Sequence, residues 1–206
     1  MGATLRFHVI AVHITAGIIN NKEERHHCMI RILVAYDTKY GSTERVAQWI
    51  AEGITESETS ETIVDVKNIS QIAEVSYDCV VIGSPIYEEE PLNSVITFLE
   101  ARRASLKHVN VALFVVCGDY GHLSKDQLID TYVKKLEAHV SGMVIAREVF
   151  GGYFDIEKLS DEDRRIIEDF SKVVGHPISH MDLLDEDETK AFGRDVVNLL
   201  LTGQSF

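Results

Sequence analysis

The stretch IRILVAYDTKYGSTERVAQWIAEGI, residues 30–54, changes character twice. It opens as an apolar run, passes through a short turn rich in hydroxyl groups, and continues with the spacing of an amphipathic helix. A β-strand, a turn and an α-helix in immediate succession are the expectation. The turn is Thr38-Lys39-Tyr40-Gly41-Ser42-Thr43. Backbone N–H groups at a helix N-terminus bind an anion, and the helix dipole favours negative charge there. Thr38, Ser42 and Thr43 add hydroxyl donors, and Gly41 lets the backbone approach the ligand closely. The turn matches neither GxGxxG nor GxxxxGK[ST]. With one glycine and no obligatory Arg, it favours a single terminal phosphate held by neutral donors. The same Ser42 and Thr43 would also serve as plain helix caps. The turn alone does not separate the two readings.

Working outward, the strand–helix alternation continues. Thr62-Ile63-Val64-Asp65-Val66 follows a polar linker and reads as a strand, with residues 67–73 as a connection. Residues 77–85, 110–116 and 142–150 are apolar runs of the kind that suits strands covered on both faces. Residues 91–104 have helical spacing, with Leu92, Val95, Ile96 and Leu99 on one face and Pro91 in the first turn. Ser124 is placed to cap a helix over 125–139. Residues 155–174 are largely helical and stop at Gly175-His176-Pro177, and 185–201 form a last helix with acidic residues in its first turn. Five strand–helix repeats predict an α/β protein with a doubly wound parallel sheet. Trp49, on the first helix, is expected to pack in the core.

Composition narrows the partners. The chain has 206 residues and a net charge of −13, with acidic clusters at 88–90, 161–163 and 185–188. Such a surface repels nucleic acid and favours basic partners. Cys28, Cys79 and Cys117 show no CxxC spacing, which predicts a reducing, cytoplasmic setting. Residues 4–19 are apolar but interrupted by Arg6, His8 and His13, so no integral membrane span is expected. Because Met29 immediately precedes the first strand, residues 1–28 are read as an extension, possibly not native or poorly ordered. Residues 29–206 are read as the folded domain.

In doubly wound folds, ligands bind outside the carboxyl ends of the strands, where the strand order reverses. With the order 2-1-3-4-5, the hydroxyl turn has two neighbours. One is Gly83-Ser84-Pro85-Ile86-Tyr87-Glu88-Glu89-Glu90; the other is Cys117-Gly118-Asp119-Tyr120-Gly121-His122. Each sets a tyrosine just past a strand end, and Tyr87 and Tyr120 together are expected to sandwich a flat ring.

TKYGST, GSPIY and CGDYG, in this order and spacing, resemble the flavodoxin family over residues 29–206. The resemblance implies a flavodoxin-like three-layer sandwich with a five-stranded parallel sheet of order 2-1-3-4-5. It implies FMN as cofactor, with its phosphate on Thr38, Lys39, Tyr40, Gly41, Ser42 and Thr43. It implies ring contacts from Ser84, Pro85, Ile86, Tyr87, Cys117, Gly118, Asp119 and Tyr120. The tail, Phe150-Gly151-Gly152 and then Met181-Asp182-Leu183-Leu184-Asp185, is similar to the menaquinone-dependent protoporphyrinogen oxidase branch. That branch carries a basic stretch after the fourth strand, where CGDYGHLSKDQL has only Lys125.

The function implied is electron transfer or oxidoreduction by a flavin whose chemistry the protein tunes. Its partners are redox proteins with basic docking surfaces, or a small-molecule acceptor such as a quinone. Glu88, Glu89 and Glu90 beside the ring predict a low potential for the last one-electron step. Cys117 is expected as a small apolar loop residue rather than a redox thiol. A receiver-like binding module shares the architecture but needs an acidic pair after strand one, an Asp after strand three and a Lys on strand five. The chain offers Asp37, Gly83-Ser84 and Arg147-Glu148 at those places, so that reading fails on residues. His176 and His180 are separated by Pro177, which argues against a metal site on one helical face.

Overall fold

The computed structural model describes residues 29–57, 62–120, 122–175 and 178–203. The extension at 1–28, part of the linker before the second strand, Gly121 and the His176-Pro177 pair lie outside the described residues.

The opening stretch folds as β1 (Ile30–Tyr36) and α1 (Ser42–Thr55). Then come β2 (Thr62–Asn68), β3 (Cys79–Tyr87) and a two-residue strand, β4 (Glu90–Pro91). Helices α2 (Asn93–Ala101) and α3 (Arg103–Leu106) lead to β5 (Asn110–Cys117). Helices α4 (Lys125–Leu128) and α5 (Lys134–Glu137) flank one π turn, Ile129–Val133. Ser124 caps this run with a capping box to Gln127. The chain ends with β6 (Met143–Gly151), β7 (Tyr153–Asp155), α6 (Asp161–Val174), β8 (His180–Asp182) and α7 (Glu186–Thr202).

The long strands are parallel in the order β2-β1-β3-β5-β6, the predicted order once β4 is set aside. Strand periodicity sends alternate residues to two cores. Ile32, Val34, Cys79, Val81 and Phe114 pack under α1 and α7 with Val46, Ile50, Phe192 and Val196. Leu33, Val80, Ile82 and Leu113 pack on the other face with Val95, Leu99, Leu128 and Leu136. Helices α1 and α7 touch backbone to backbone. A Cβ on Gly53 would lie 2.1 Å from the Lys190 carbonyl oxygen, and one on Gly193 would lie 2.2 Å from that of Ile50.

The β2–β3 link is a connection, as expected, and three other expectations are corrected. The link holds only a 3₁₀ turn at Ile69–Gln71, started by the Asn68 side chain accepting from the Ser70 N–H, and Ile69 and Ile72 plug the sheet face. Pro91 is not in a helical first turn. It pairs with Ile86 in a hairpin whose two turn residues, Glu88 and Glu89, both have positive φ (49° and 63°). That turn geometry matches strand twist but is uncommon without Gly or Asn. Trp49 is only partly buried, with the Arg45 guanidinium 6.0 Å from its ring centroid. Finally, β6 does not lead directly to a helix. β7 pairs antiparallel with β8, and this hairpin brackets α6. The hairpin is fixed to the sheet end where the Leu183 N–H donates to the Gly152 carbonyl at 3.0 Å.

Candidate functional site

The loops after β1, β3 and β5 meet at the carboxyl edge of the sheet around a cavity of about 510 Å³. From the hydroxyl turn, Thr38, Lys39, Tyr40, Ser42 and Thr43 line it. From the second loop, Pro85, Ile86 and Tyr87 do so, joined by Glu88 and Glu89. From the third come Cys117, Gly118 and Asp119. Gly41 and Ser84 shape the loops without lining the cavity. Gly41 turns the chain at φ 91°. Ser84 is fully buried and its hydroxyl accepts from the Leu92 N–H at 2.9 Å, tying the second loop to the start of α2.

Inside the turn the plain capping reading is not realised: the N-cap of α1 is Gly41, with no side-chain cap bond. Thr38 Oγ1 accepts from the Gly41 N–H at 2.9 Å, which closes the turn. The Ser42 hydroxyl donates to the Tyr153 carbonyl at 2.7 Å, so β7 is stitched to the start of α1. Thr43 Oγ1 is different. Thr43 is 0% exposed and, among the described residues, its hydroxyl has no hydrogen-bond partner. Buried hydroxyls are normally paired, so this one marks a place where a polar ligand atom belongs.

The side chains of Lys39 and Tyr40 reach across to α6. Lys39 Nζ pairs with the Asp163 carboxylate at 2.6 Å. The Tyr40 hydroxyl donates to the same carboxylate and accepts from the Ser160 N–H at 3.0 Å. Burial works to raise the Asp163 pKa, but hydrogen bonds from Lys39, Tyr40 and Ser160 outweigh it and hold the carboxyl below its usual range. Lys39 also sits 5.0 Å from the centroid of the Tyr87 ring, and Tyr40 meets Tyr87 edge to face at 6.3 Å.

The expected Tyr87–Tyr120 sandwich does not form. Tyr120 turns away from the cavity, and its hydroxyl donates to Glu188 on α7 at 2.6 Å. Lys125 ties the same Glu188 (2.8 Å) to Glu148 (2.9 Å), which fixes the loop in that direction. The aromatic wall on this side comes from residues the sequence reading missed. Tyr132, buried on the π turn, lines the cavity, and its hydroxyl donates to Asp119 at 2.5 Å. One-turn π insertions recur at functional sites, but nothing in the local sequence announces one. Phe154, Leu159, Ile166, Ile167 and Met181, all from the β7–α6–β8 excursion, supply an apolar roof. Cys117 is buried, which pushes its thiol up to about 11 and leaves it protonated at neutral pH.

A sequence model of the flavodoxin domain matches residues 33–178, well over half of the chain. The chain belongs to the flavodoxin family. Solved flavodoxins share its fold. A flavodoxin from the domain Archaea is 19% identical, the match covering 84% of this chain and 99% of that one at a TM-score of 0.51. A short-chain flavodoxin associated with a bacterial microcompartment is 13% identical over 84% of this chain and 99% of its own, at 0.52. The rubredoxin:oxygen oxidoreductase of Desulfovibrio gigas is 13% identical at 0.53, covering 84% of this chain but 36% of that larger one. No curated protein sequence matches the chain.

The cofactor of this flavodoxin-family protein is FMN, and the donor set fits it. Among the described residues, the Thr38–Thr43 turn offers a buried hydroxyl without a partner on Thr43. The space beside Gly41 is open, since a Cβ there would meet nothing within 4 Å. The cavity beyond the turn has apolar and aromatic walls, as a flat ring system requires. Among the described residues no helix is long and apolar enough to cross a membrane.

Proposed function

We propose that the chain is an FMN-dependent oxidoreductase exchanging electrons with a small apolar acceptor of the quinone class. The observation that carries this reading is the roof. Leu159, Ile166, Ile167, Phe154 and Met181 lie over the cavity as an apolar surface that a flat, apolar molecule would fill. The turn at Thr38–Thr43 holds the phosphate, with the Thr43 hydroxyl as its buried donor. Tyr87 and Tyr40 flank the ring on one side, and Cys117, Gly118, Asp119 and Tyr132 close the other. FMN, when bound, supplies the redox chemistry. The protein binds and orients it, excludes water with the roof, and sets its potential with nearby charge. Glu88 and Glu89 at the rim disfavour extra negative charge on the ring.

A second reading, an electron carrier for basic proteins, is supported by the acidic rim and by the net charge of −13. One experiment separates the two. FMN-reconstituted, chemically reduced protein is mixed with a soluble quinone and, separately, with a basic electron-transfer protein. Fast quinone reduction at high salt supports the enzyme. Reduction of the basic protein alone, lost as salt rises, supports the carrier. Turnover of protoporphyrinogen in the same assay would place the chain in the narrower branch. Protein that stays colourless after FMN is added removes both readings.

A further inference from the structure

The helix α6 is built in an unusual way. It is amphipathic, yet among its described residues the single buried one is Asp163, a carboxylate. Its apolar side chains Ile166 and Ile167 face the cavity without being buried, Ile166 being 46% exposed. A helix normally docks by its apolar face and leaves its charges in water. Here the charge is what docks. Asp163 takes the Lys39 ammonium at 2.6 Å and the Tyr40 hydroxyl, and both belong to the phosphate turn. The Ser160 N–H, at the capped start of α6, adds a bond to the Tyr40 oxygen at 3.0 Å. The helix thus has a polar tether to the phosphate turn, and its Ile166 and Ile167 are apolar side chains that a ligand in the cavity would cover.

We infer that α6 closes over the bound cofactor and that Asp163 is the positioning residue latching it to the phosphate turn. The inference rests on the FMN reading of the cavity. Closure completes the burial of Ile166 and Ile167 when the cavity is filled. Opening requires the Lys39 and Tyr40 bonds to Asp163 to break, so the latch governs how long FMN stays. It leaves the rate of entry to the open form largely unchanged, because the latch is not yet made at that stage.

The test uses the full chain loaded with FMN, and two variants, Asp163→Asn and Tyr40→Phe. FMN release is followed by fluorescence with an excess of a second apoflavoprotein as trap. Trypsin cleavage after Arg165, on α6 itself, is followed by mass spectrometry with and without FMN. The expected result is release about tenfold faster in both variants with little change in the association rate. FMN should slow cleavage after Arg165 in the wild type and do so much less in the variants. A merely structural tie would lower thermal stability and leave release at the wild-type rate. Should Asp163→Asn fail to fold, Tyr40→Phe decides alone. FMN uptake with wild-type release rates overturns the latch. Failure of the wild type to take up FMN overturns the cofactor reading and the latch with it.

Discussion

Replacing Thr43 by Val should move stability and affinity in opposite directions. Thr43 is 0% exposed, and its hydroxyl has no partner among the described residues. A buried hydroxyl left unpaired costs roughly 1–3 kcal/mol. Valine has nearly the same shape and no hydroxyl, so the apoprotein should gain about 1 kcal/mol. For a chain of this size that raises Tm by about 2–4 °C. In the proposed FMN site the lost hydroxyl would donate to a charged phosphate, a bond worth about 1.5–3 kcal/mol. FMN affinity should therefore fall about 10- to 150-fold. Thermal unfolding of apoprotein gives the first number and quenching of FMN fluorescence on titration gives the second. An apoprotein destabilised by the change, with FMN affinity intact, would show that Thr43 is a packing residue and that the phosphate lies elsewhere.

Three further outcomes are expected. Glu88 and Glu89 line the cavity, whereas Glu90 is already paired with Lys135 at 2.7 Å. The double change to Gln at 88 and 89 should raise the potential of the last one-electron step by roughly 20–40 mV, and Glu90→Gln should leave it nearly unchanged. Redox titration in dithionite checks this, and equal shifts from both variants would defeat it. Because the Asp163 carboxyl is held below its usual range, its contribution is fully present above the unfolded value near 3.8 and is lost as pH falls through the lowered one. Lys39, raised above 10.5 by its bond to Asp163, loses its contribution only at strongly alkaline pH. The difference in FMN release between wild type and Asp163→Asn should therefore be flat from pH 8 down to about pH 4 and shrink only as the pH falls below the ordinary carboxylate value. Gly193→Ala would set a Cβ 2.2 Å from the Ile50 carbonyl oxygen. Overpacking of about 2–3 kcal/mol outweighs the gain in helix propensity of about 1 kcal/mol, so Tm should drop by several degrees; a rise would contradict the close α1–α7 contact.

The β1–turn–α1 unit was legible in the sequence because everything that makes it is local: a continuous apolar run, one glycine at a positive-φ position, and a helical apolar stripe. Strand order came from the family resemblance that the three loop motifs carry. What was not legible depends on distant residues. Tyr87 and Tyr120 look alike in sequence, each just past a strand end. Only Glu188, 68 positions after Tyr120, turns the second one away from the cavity. Asp163 appeared as one member of a surface acidic cluster, and its partners Lys39 and Tyr40 lie more than 120 positions earlier. Tyr132 was hidden by the π turn, which a period of 3.6 does not describe. The β2–β3 link was legible as a connection, too short and irregular to hold a helix. Nearness in the chain was no guarantee, since Pro91 pairs with Ile86 five positions away and was still read as helical. Residues recruited to the cavity from the β7–α6–β8 excursion gave no local signal.

The α1–α7 contact also bears on how the chain reaches its native state. α1 starts at Ser42 and α7 at Glu186, so the two helices with the closest backbone approach are about 140 residues apart in sequence. Contacts of such separation slow folding, because loop closure must precede any return from the contact. During synthesis, strands β1 to β6 are available long before α7 emerges, and one face of their sheet, with Ile32, Val34 and Phe114, waits uncovered. The helix that covers it also carries Glu188, the residue that orients the third loop. Assembly of the ligand cavity and burial of the last apolar face are then a single late event. A nascent chain stalled before α7 should be recognised by chaperones and should fail to retain a flavin, whatever the state of its phosphate turn.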